Sequence, residues 1–361
     1  MKRVGSFVVG VLLAFICIAT SIAPASAATA APAQPQTSSS GLSITPRKNY
    51  VIRAGQSVTD KLTVGNLNSS QPLNITLKPI DFTFTNESGT PKLMLADNAP
   101  LTTWSLKPFM TLPQSFTVPA GQSRTVNYTI KIPANQGAGS YYSALQYAST
   151  GANGGNVDMS ASGVTLVFVS VPGTVNENLT LKKLGAYQQD SDVTGKYIFI
   201  ALSPPQNIAY TLANNSNVAE SPAGSIVLHN QFFGQKITID NANPNSSLAL
   251  IGQTRLFTAC IQMEDQVVNL DGNKSVASVC KKTPHLLPGR YSISLDIFYG
   301  QNGNNSQEIT GTAHFWYLPW WFILIFVAVV AVIAFFVWRL VHKIRIAVNG
   351  KAQKKANRFR R

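Results

Sequence analysis

The sequence predicts an all-β protein that carries one transmembrane helix near its C-terminus. Only 12% of the 361 residues are charged, about half the usual share, whereas the residues that favour strands and turns are abundant. Short segments in which apolar and polar residues alternate recur along the chain, as they do in half-buried strands. Residues 318–338 form a run of 21 residues without a charge, which is long enough to cross a bilayer.

The first 27 residues are typical of a secretory signal peptide. A basic start is followed by an apolar core at residues 7–18 and by an A-x-A cleavage motif at residues 25–27. We therefore expect cleavage between Ala27 and Ala28. The alternative is an uncleaved N-terminal anchor.

The mature chain is expected to hold two domains. Residues 28–41 are rich in Ala, Pro, Gln and Ser and are predicted to form a flexible linker. The 274 residues between this linker and the predicted membrane segment are long for one core and sufficient for two. We place one domain at residues 42–172 and the other at residues 173–315.

Strand patterns support a sandwich in the first domain. The clearest alternation covers residues 126–132, and two further strands are predicted at residues 141–147 and 164–171. Pro79 shifts the phase of another alternating segment, which predicts a bulge or a sheet edge at that position.

The second domain shows the same style. Shorter strands are predicted at residues 179–181, 197–202, 208–212, 226–228 and 237–239. A Pro288-Gly289 turn then opens a strand at residues 291–299, and a turn at residues 300–305 leads into a return strand at residues 309–315. Many short strands at this spacing are typical of Ig-like antiparallel β-sandwiches, so we predict two of them.

The predicted membrane helix comprises residues 316–338. Its uncharged run spans ~31 Å at about 1.5 Å per residue, which matches the hydrocarbon core. The aromatic residues expected at the two membrane interfaces are Trp316, Tyr317, Trp320, Trp321 and Trp338. Arg339 begins a basic tail, residues 339–361, which we expect on the cytoplasmic side, with the main body of the protein outside the cell.

The charge is concentrated at the ends of the chain. The formal net charge is +14, but the tail alone contributes +9, and residues 4–338 carry only +3. Read by position, this distribution indicates membrane topology rather than nucleic-acid binding. We expect the tail to contact anionic membrane lipid and expect no nucleic-acid partner.

The mature chain retains two cysteines, Cys260 and Cys280. An even number in an exported chain predicts one disulfide, which would stabilise the fold by ~3 kcal/mol for a loop of about twenty residues. Two reduced thiols are the alternative.

Catalytic and metal-binding motifs are absent from the sequence. His229, His285 and His314 lack metal-ligand spacing, and no H-E-x-x-H, G-x-S-x-G or phosphate-binding loop occurs. The acidic segments at residues 190–195 and 269–273 are interpreted as solvated turns rather than calcium loops. We therefore expect no enzyme activity, no metal and no cofactor.

Several short sequence segments, in predicted turns and strands, resemble those of a known protein family. They lie at residues 44–46, 53–57, 61–68, 82–89, 118–123, 132–133, 139–142, 210–217, 222–225 and 287–291. Together with the membrane helix and basic tail, this series resembles the WxL-interacting proteins, which are Gram-positive surface proteins. The resemblance implies Ig-like modules that bind peptidoglycan and WxL-domain partners. No ligand-contacting residue follows from it.

Two functional hypotheses follow. The first is a non-catalytic cell-surface protein that recognises a cell-wall glycan or a surface protein through sandwich faces or edge strands. The second is a structural stalk, or an assembly or secretion accessory, within an envelope complex.

Overall fold

The computed structural model describes residues 41–96, 98–151, 162–189, 195–270, 273–300 and 307–358. The expected signal peptide, the Ala27–Ala28 cleavage site and the linker up to residue 40 lie outside the described residues. So do residues 190–194, 271–272 and 301–305 of the predicted turns, and the last three residues of the tail.

The described residues form two Ig-like β-sandwiches and one long helix. The strands of the first sandwich are β1 (Leu42–Ile44), β2 (Arg47–Val51), β3 (Ser57–Asn66), β4 (Leu73–Ile80), β5 (Phe82–Phe84), β6 (Pro91–Leu93), β7 (Met110–Thr111), β8 (Ser115–Val118), β9 (Ser123–Lys131), β10 (Gly139–Gly151) and β11 (Ser162–Val171). The strands of the second are β12 (Leu179–Gln189), β13 (Gly195–Ile198), β14 (Ile200–Ala201), β15 (Asn207–Asn214), β16 (Ala223–Asn230), β17 (Lys236–Ile239), β18 (Thr254–Cys260), β19 (Met263–Leu270), β20 (Asn273–Cys280), β21 (Gly289–Tyr299) and β22 (Gln307–Tyr317). Helix α1 covers Trp320–Arg358, and a short 3-10 turn covers Lys107–Phe109.

The first sandwich packs a four-stranded sheet, β1-β3-β9-β7, against a five-stranded sheet, β2-β11-β10-β4-β8. Alternate residues of each strand, such as Leu62, Ile75 and Tyr128, fill the core between the two sheets. Strand β4 pairs with β8 only as far as Thr76, and Pro79 lies beyond this pairing. The N–H group that proline lacks is therefore not needed for hydrogen bonds with β8. The expected sheet edge is therefore confirmed at this position, without a bulge.

The second sandwich repeats this arrangement with sheets β13-β12-β15-β18 and β14-β22-β21-β16-β17. Stacked aromatic pairs lie in its core, with ring centroids 5.0 Å apart for Tyr210 and Phe257 and 5.1 Å apart for Tyr291 and Phe315. In both sandwiches most strand pairs are antiparallel, but β2 runs parallel to β11 and β14 runs parallel to β22.

One predicted strand of the second sandwich is divided. Residues 197–202 were expected to form a single strand, but β13 ends at Ile198 in one sheet and β14 begins at Ile200 in the other. The chain changes sheets at Phe199, as strands do at the corners of sandwiches. Alternation alone could not predict this, because it does not show which sheet each half of the segment joins.

The two sandwiches share an apolar interface, which we call the inter-sandwich cluster. It contains Ile80, Phe82, Tyr142, Ala144 and Phe168 from the first sandwich and Leu250 from the second, all buried. Ile80, Tyr142, Ala144 and Phe168 belong to the five-stranded sheet, on the face that points away from its core, and Phe82 of β5 and Leu250 pack with them. That sheet is therefore covered on both faces. This explains why residues 164–171 are apolar almost without interruption.

A hairpin from the first sandwich reinforces the interface. The turn between β5 and β6 reaches β18, where the backbone N–H of Leu256 donates to the carbonyl of Glu87 at 2.7 Å. The guanidinium of Arg255 lies 4.8 Å from the centre of the Phe84 ring and packs directly on Gly89, where a Cβ atom would overlap it. The hairpin therefore covers part of the outer edge of β18.

The long apolar helix begins later than the membrane segment predicted at residues 316–338. Trp316 and Tyr317 belong to β22, where they pair with Arg290 and Gly289. The carbonyl of Pro319 accepts hydrogen bonds from the N–H groups of Phe322 and Ile323, which are the first of the helix. Because proline has no N–H, Pro319 cannot continue the hydrogen bonds of the preceding strand. Helix α1 also continues past Trp338 into the tail, whose Lys, Arg, Ala and Gln residues favour helix. Its segment Trp320–Arg345, with mean hydropathy 3.0, is long and apolar enough to cross a membrane.

A separate hairpin, β19–β20, was not predicted from the sequence. It forms its own two-stranded sheet. Cys260 and Cys280 are joined by a disulfide at its base, with their Cα atoms 5.7 Å apart. An isolated two-stranded hairpin is marginally stable in water, so this covalent link closes it where it leaves the sandwich.

Removing the disulfide should destabilise the second sandwich. Replacing both Cys260 and Cys280 with Ser is expected to lower the free energy of unfolding by ~3 kcal/mol, because the bond closes a loop of 20 residues in the unfolded chain. Denaturant unfolding of the full chain in detergent, followed by fluorescence, measures this. A reducing agent should lower the wild type to the same level and leave the double variant unchanged. Equal stability of the two proteins without reductant would contradict the expectation.

Candidate functional site

A groove of about 330 Å³ lies beside the inter-sandwich cluster. Strands β2 and β11 of the first sandwich form its floor, and the segments around Glu220 and Leu248 of the second sandwich form its wall. We call it the inter-sandwich groove. Because both sandwiches line it, the groove exists only when the cluster holds them together.

Side chains of the edge strand β2 point alternately into the first sandwich and into the groove. The side chains of Lys48 and Tyr50 point into the first sandwich, where Lys48 Nζ lies 2.6 Å from a carboxylate oxygen of Asp60. The residues between and beside them, Arg47, Asn49 and Val51, therefore face the groove.

The wall of the groove contains a buried carboxyl group, that of Glu220. Its backbone is fixed by two hydrogen bonds with Ala249, at 3.1 and 2.8 Å. Its side chain is only 2% exposed, and among the described residues Oε1 has no hydrogen-bond partner. Burial, and then repulsion from Glu177, raises the pKa of Glu220 to about 7, although the N–H of Gly300 donates to the carboxyl.

Arg47 is the cation of the groove. Its Nε donates to Asn49 Oδ1 and its Nη1 donates to the carbonyl of Ser246, both at 3.0 Å, and the guanidinium lies 5.1 Å from the centre of the Phe168 ring. Burial lowers its pKa. Among the described residues Arg47 forms no ion pair with Glu220, since the single pair found there joins Lys48 and Asp60. Glu220 is thus left without a cationic partner from this side.

The arrangement suits binding of a hydrogen-bond donor. A buried acceptor without a partner is costly, and a ligand that brings an ammonium or N–H group to Oε1 would remove that cost. Phe168, Leu248 and Ala219 offer apolar contacts beside it.

The groove offers less to catalysis. A raised carboxyl pKa is also typical of general acids, but glycoside hydrolysis uses two facing carboxylates. No second Asp or Glu lines the groove in the part of the chain that the structure describes. The same part contains no cluster of three His, Cys, Asp or Glu side chains that could hold a metal ion.

The residues predicted to lie at the membrane interfaces fall at the opposite end of the second sandwich and along α1. Trp316 packs against Phe232, with ring centroids 5.8 Å apart, and Tyr317 is buried in the sandwich. Trp320, Trp321 and Trp338 are exposed on the helix. Arg339 follows Trp338 on the same exposed helix. The Cys260–Cys280 disulfide closes the β19–β20 hairpin and lines neither the groove nor the helix.

Sequence reasoning missed Glu220 and Arg47. Neither belongs to a motif, and 173 residues separate them in the chain. The only local signal is an acid among small and apolar residues at positions 218–223, which is too common to predict a site.

No protein-family model and no curated protein matches the chain. Several solved structures are similar over most of their own length. They include the Escherichia coli chaperone DraB (11% identity, TM-score 0.31, 76% of this chain and 98% of that one) and the Pseudomonas aeruginosa CupB2 chaperone (10%, 0.29, 74% and 97%). The ASH/PapD-like domain of human CEP192 is also similar (14%, 0.26, 43% and 99%). Identities and scores of this size assign no family and no function.

The buried carboxyl should make the fold sensitive to pH. Because the pKa of Glu220 is raised when folded, the folded state binds more protons than the unfolded state between about pH 4.5 and 7. Stability should therefore fall as the pH rises through this range. The Glu220→Gln variant should lack this contribution, which is on the order of 2–3 kcal/mol.

Thermal unfolding of the full chain at pH 5 and pH 8 measures the effect. Glu308→Gln, which changes an exposed carboxylate on β22, is the matched control and should follow the wild type. Parallel pH profiles for wild type and Glu220→Gln would show that Glu220 titrates normally.

Proposed function

We propose that this chain is a membrane-tethered, non-catalytic binding protein of the cell surface whose ligand occupies the inter-sandwich groove. The observation that carries the proposal is the unpartnered Oε1 of Glu220, buried in a groove lined by both sandwiches. Such a group is destabilising unless a partner is present, so its position favours a ligand over a purely structural role.

Two features support an orientation with the sandwiches outside the cell. The helix is followed by basic residues, including Arg339, Lys343 and Arg345, and positive charge is retained on the cytoplasmic side. The Cys260–Cys280 disulfide lies before the helix, and disulfides persist in oxidising compartments. Both observations favour a single-pass protein with its tail in the cytoplasm.

The proposed ligand is a cell-wall polymer such as peptidoglycan, or a surface protein. Both can present amino or amide N–H groups to Glu220 and apolar groups to Phe168 and Leu248. The resemblance of the sequence to the WxL-interacting proteins supports the same ligand classes. The mixed apolar and polar surroundings of Glu220 suit a segment of peptide better than a bare ion.

Cosedimentation with purified Gram-positive cell walls tests the proposal. The full chain, reconstituted in nanodiscs, should bind intact walls, and Glu220→Gln should weaken binding about tenfold or more, because a hydrogen bond to a charged group is lost while side-chain volume is kept. Glu308→Gln should bind like the wild type.

Walls stripped of proteins by protease separate the two ligand classes. Binding that survives stripping identifies the polymer, and binding that disappears identifies a surface protein. If neither preparation binds, or if Glu220→Gln binds as tightly as the wild type, the groove is not the binding site. Absence of all binding would favour the stalk or assembly role instead.

A further inference from the structure

An apolar cavity of about 600 Å³ lies at the membrane end of the second sandwich. We call it the juxtamembrane cavity. Its lining includes Phe232, Phe233 and Trp316 from the sandwich and Phe322, Ile323 and Phe326 from the helix. No charged side chain lines it among the described residues.

The turn between β16 and β17 places two adjacent aromatic side chains at the opening. Phe232 is 62% exposed and Phe233 is 59% exposed. Single exposed apolar residues are common on protein surfaces, but a contiguous patch of large ones marks an interaction surface. Phe232 and Phe233 form such a patch with the apolar lining of the cavity, and Trp320 and Trp321 at the start of the helix are also exposed.

The turn is held in place by one buried side chain. Asn230 is fully buried, and its Oδ1 accepts hydrogen bonds from the backbone N–H groups of Phe232 and Phe233, both at 2.9 Å. Its Nδ2 donates to the carbonyls of Leu287 and Pro288, at 3.1 and 3.2 Å. The exposed position of the two rings is therefore part of the fold.

A close backbone approach supports the same conclusion. Gly289 has φ +134°, and a Cβ atom there would lie 2.8 Å from Cδ2 of the Phe232 ring. Only glycine permits this approach without displacing the ring. The backbone of the sandwich at Gly289 therefore packs directly against the Phe232 side chain of the turn.

The helix residues that line the cavity show where the cavity lies relative to the bilayer. Phe322, Ile323 and Phe326 lie in its first two turns, and Phe326 is ~9 Å along the axis from Trp320. The segment Trp320–Arg345 is the one that can span a membrane, and tryptophans at the start of such a segment mark the headgroup level. The cavity therefore lies beside the boundary between headgroups and acyl chains.

We propose that the turn carrying Phe232 and Phe233 is a second membrane contact, and that a lipid acyl chain occupies the juxtamembrane cavity. The cavity is continuous with the lipid-facing surface of the helix, and its aromatic and aliphatic lining offers an acyl chain apolar contact without a charge to desolvate. With two points of contact, the second sandwich is held at a fixed tilt on the bilayer instead of rotating about the residues that join it to the helix.

Fluorescence quenching by lipid tests the contact. The full chain with Phe233→Cys, in a Cys17→Ser background, is labelled with an environment-sensitive fluorophore and placed in phosphatidylglycerol–phosphatidylcholine vesicles whose acyl chains are brominated. Cys260 and Cys280 do not react because they are paired. Asp240→Cys, at an exposed site after the far end of β17, is the matched control.

The label at residue 233 should be quenched several-fold more than the label at residue 240, and dilution of the protein in lipid should not change this. Equal quenching at both sites would overturn the proposal. Weak quenching at residue 233 that increases on dilution would show that a second copy of the chain covers the turn, which also overturns the lipid assignment.

A second measurement leaves the two rings unlabelled. Energy transfer from a label at residue 240 to an acceptor on the bilayer surface reports the height of the sandwich. Replacing Phe232 and Phe233 with Ser should broaden or shift that distance, whereas Leu101→Ser, which changes an exposed residue of the first sandwich, should not. An unchanged distance in the double variant would contradict a role for the turn in docking.

Discussion

The outer face of one sheet is buried where the two sandwiches meet, and this contact fixes how they are joined. The five-stranded sheet of the first sandwich packs inward on its own core and outward, through Tyr142 and Phe168, on Phe82 of β5 and on Leu250 of the second sandwich. Without this second contact, two independent modules would be joined by a short connection, and the inter-sandwich groove would not exist. The same contact places Arg47 and Glu220, far apart in the chain, around one space.

That space holds a group which the fold leaves unsatisfied. Most buried polar side chains in this protein are paired, as in the hydrogen bonds that Asp81 accepts from Ser105 at 2.7 Å and from Ser143 at 3.1 Å. Oε1 of Glu220 has no partner among the described residues, and the same holds for buried polar atoms of Thr102, Trp104, Tyr142 and Arg255. Of these five residues, Glu220 is the one that lines the inter-sandwich groove. A fold can tolerate such a cost when the surrounding backbone is fixed, and here the paired segment at Ala249 fixes it.

The two candidate sites lie at opposite ends of the second sandwich. Strand β21 begins at Gly289 beside the juxtamembrane cavity and ends at Tyr299, next to Gly300 of the groove. Eleven strand residues separate these ends by roughly 33 Å. A sandwich held at a fixed tilt on the bilayer would therefore present the groove at a defined height above the membrane, so the two proposals are compatible although neither requires the other.

The β-rich fold class, most strand positions and the apolar span could be predicted from the sequence, because alternation, turn residues and uncharged length are local properties. It did not predict β18–β20, the division at Phe199 or the strand position of Trp316, since these depend on which sheet edge the chain meets. Which side chains are buried away from water depends on packing between elements that are distant in the sequence. Glu220 became a candidate site residue, and Phe232 and Phe233 became a surface patch, through neighbours distant in sequence.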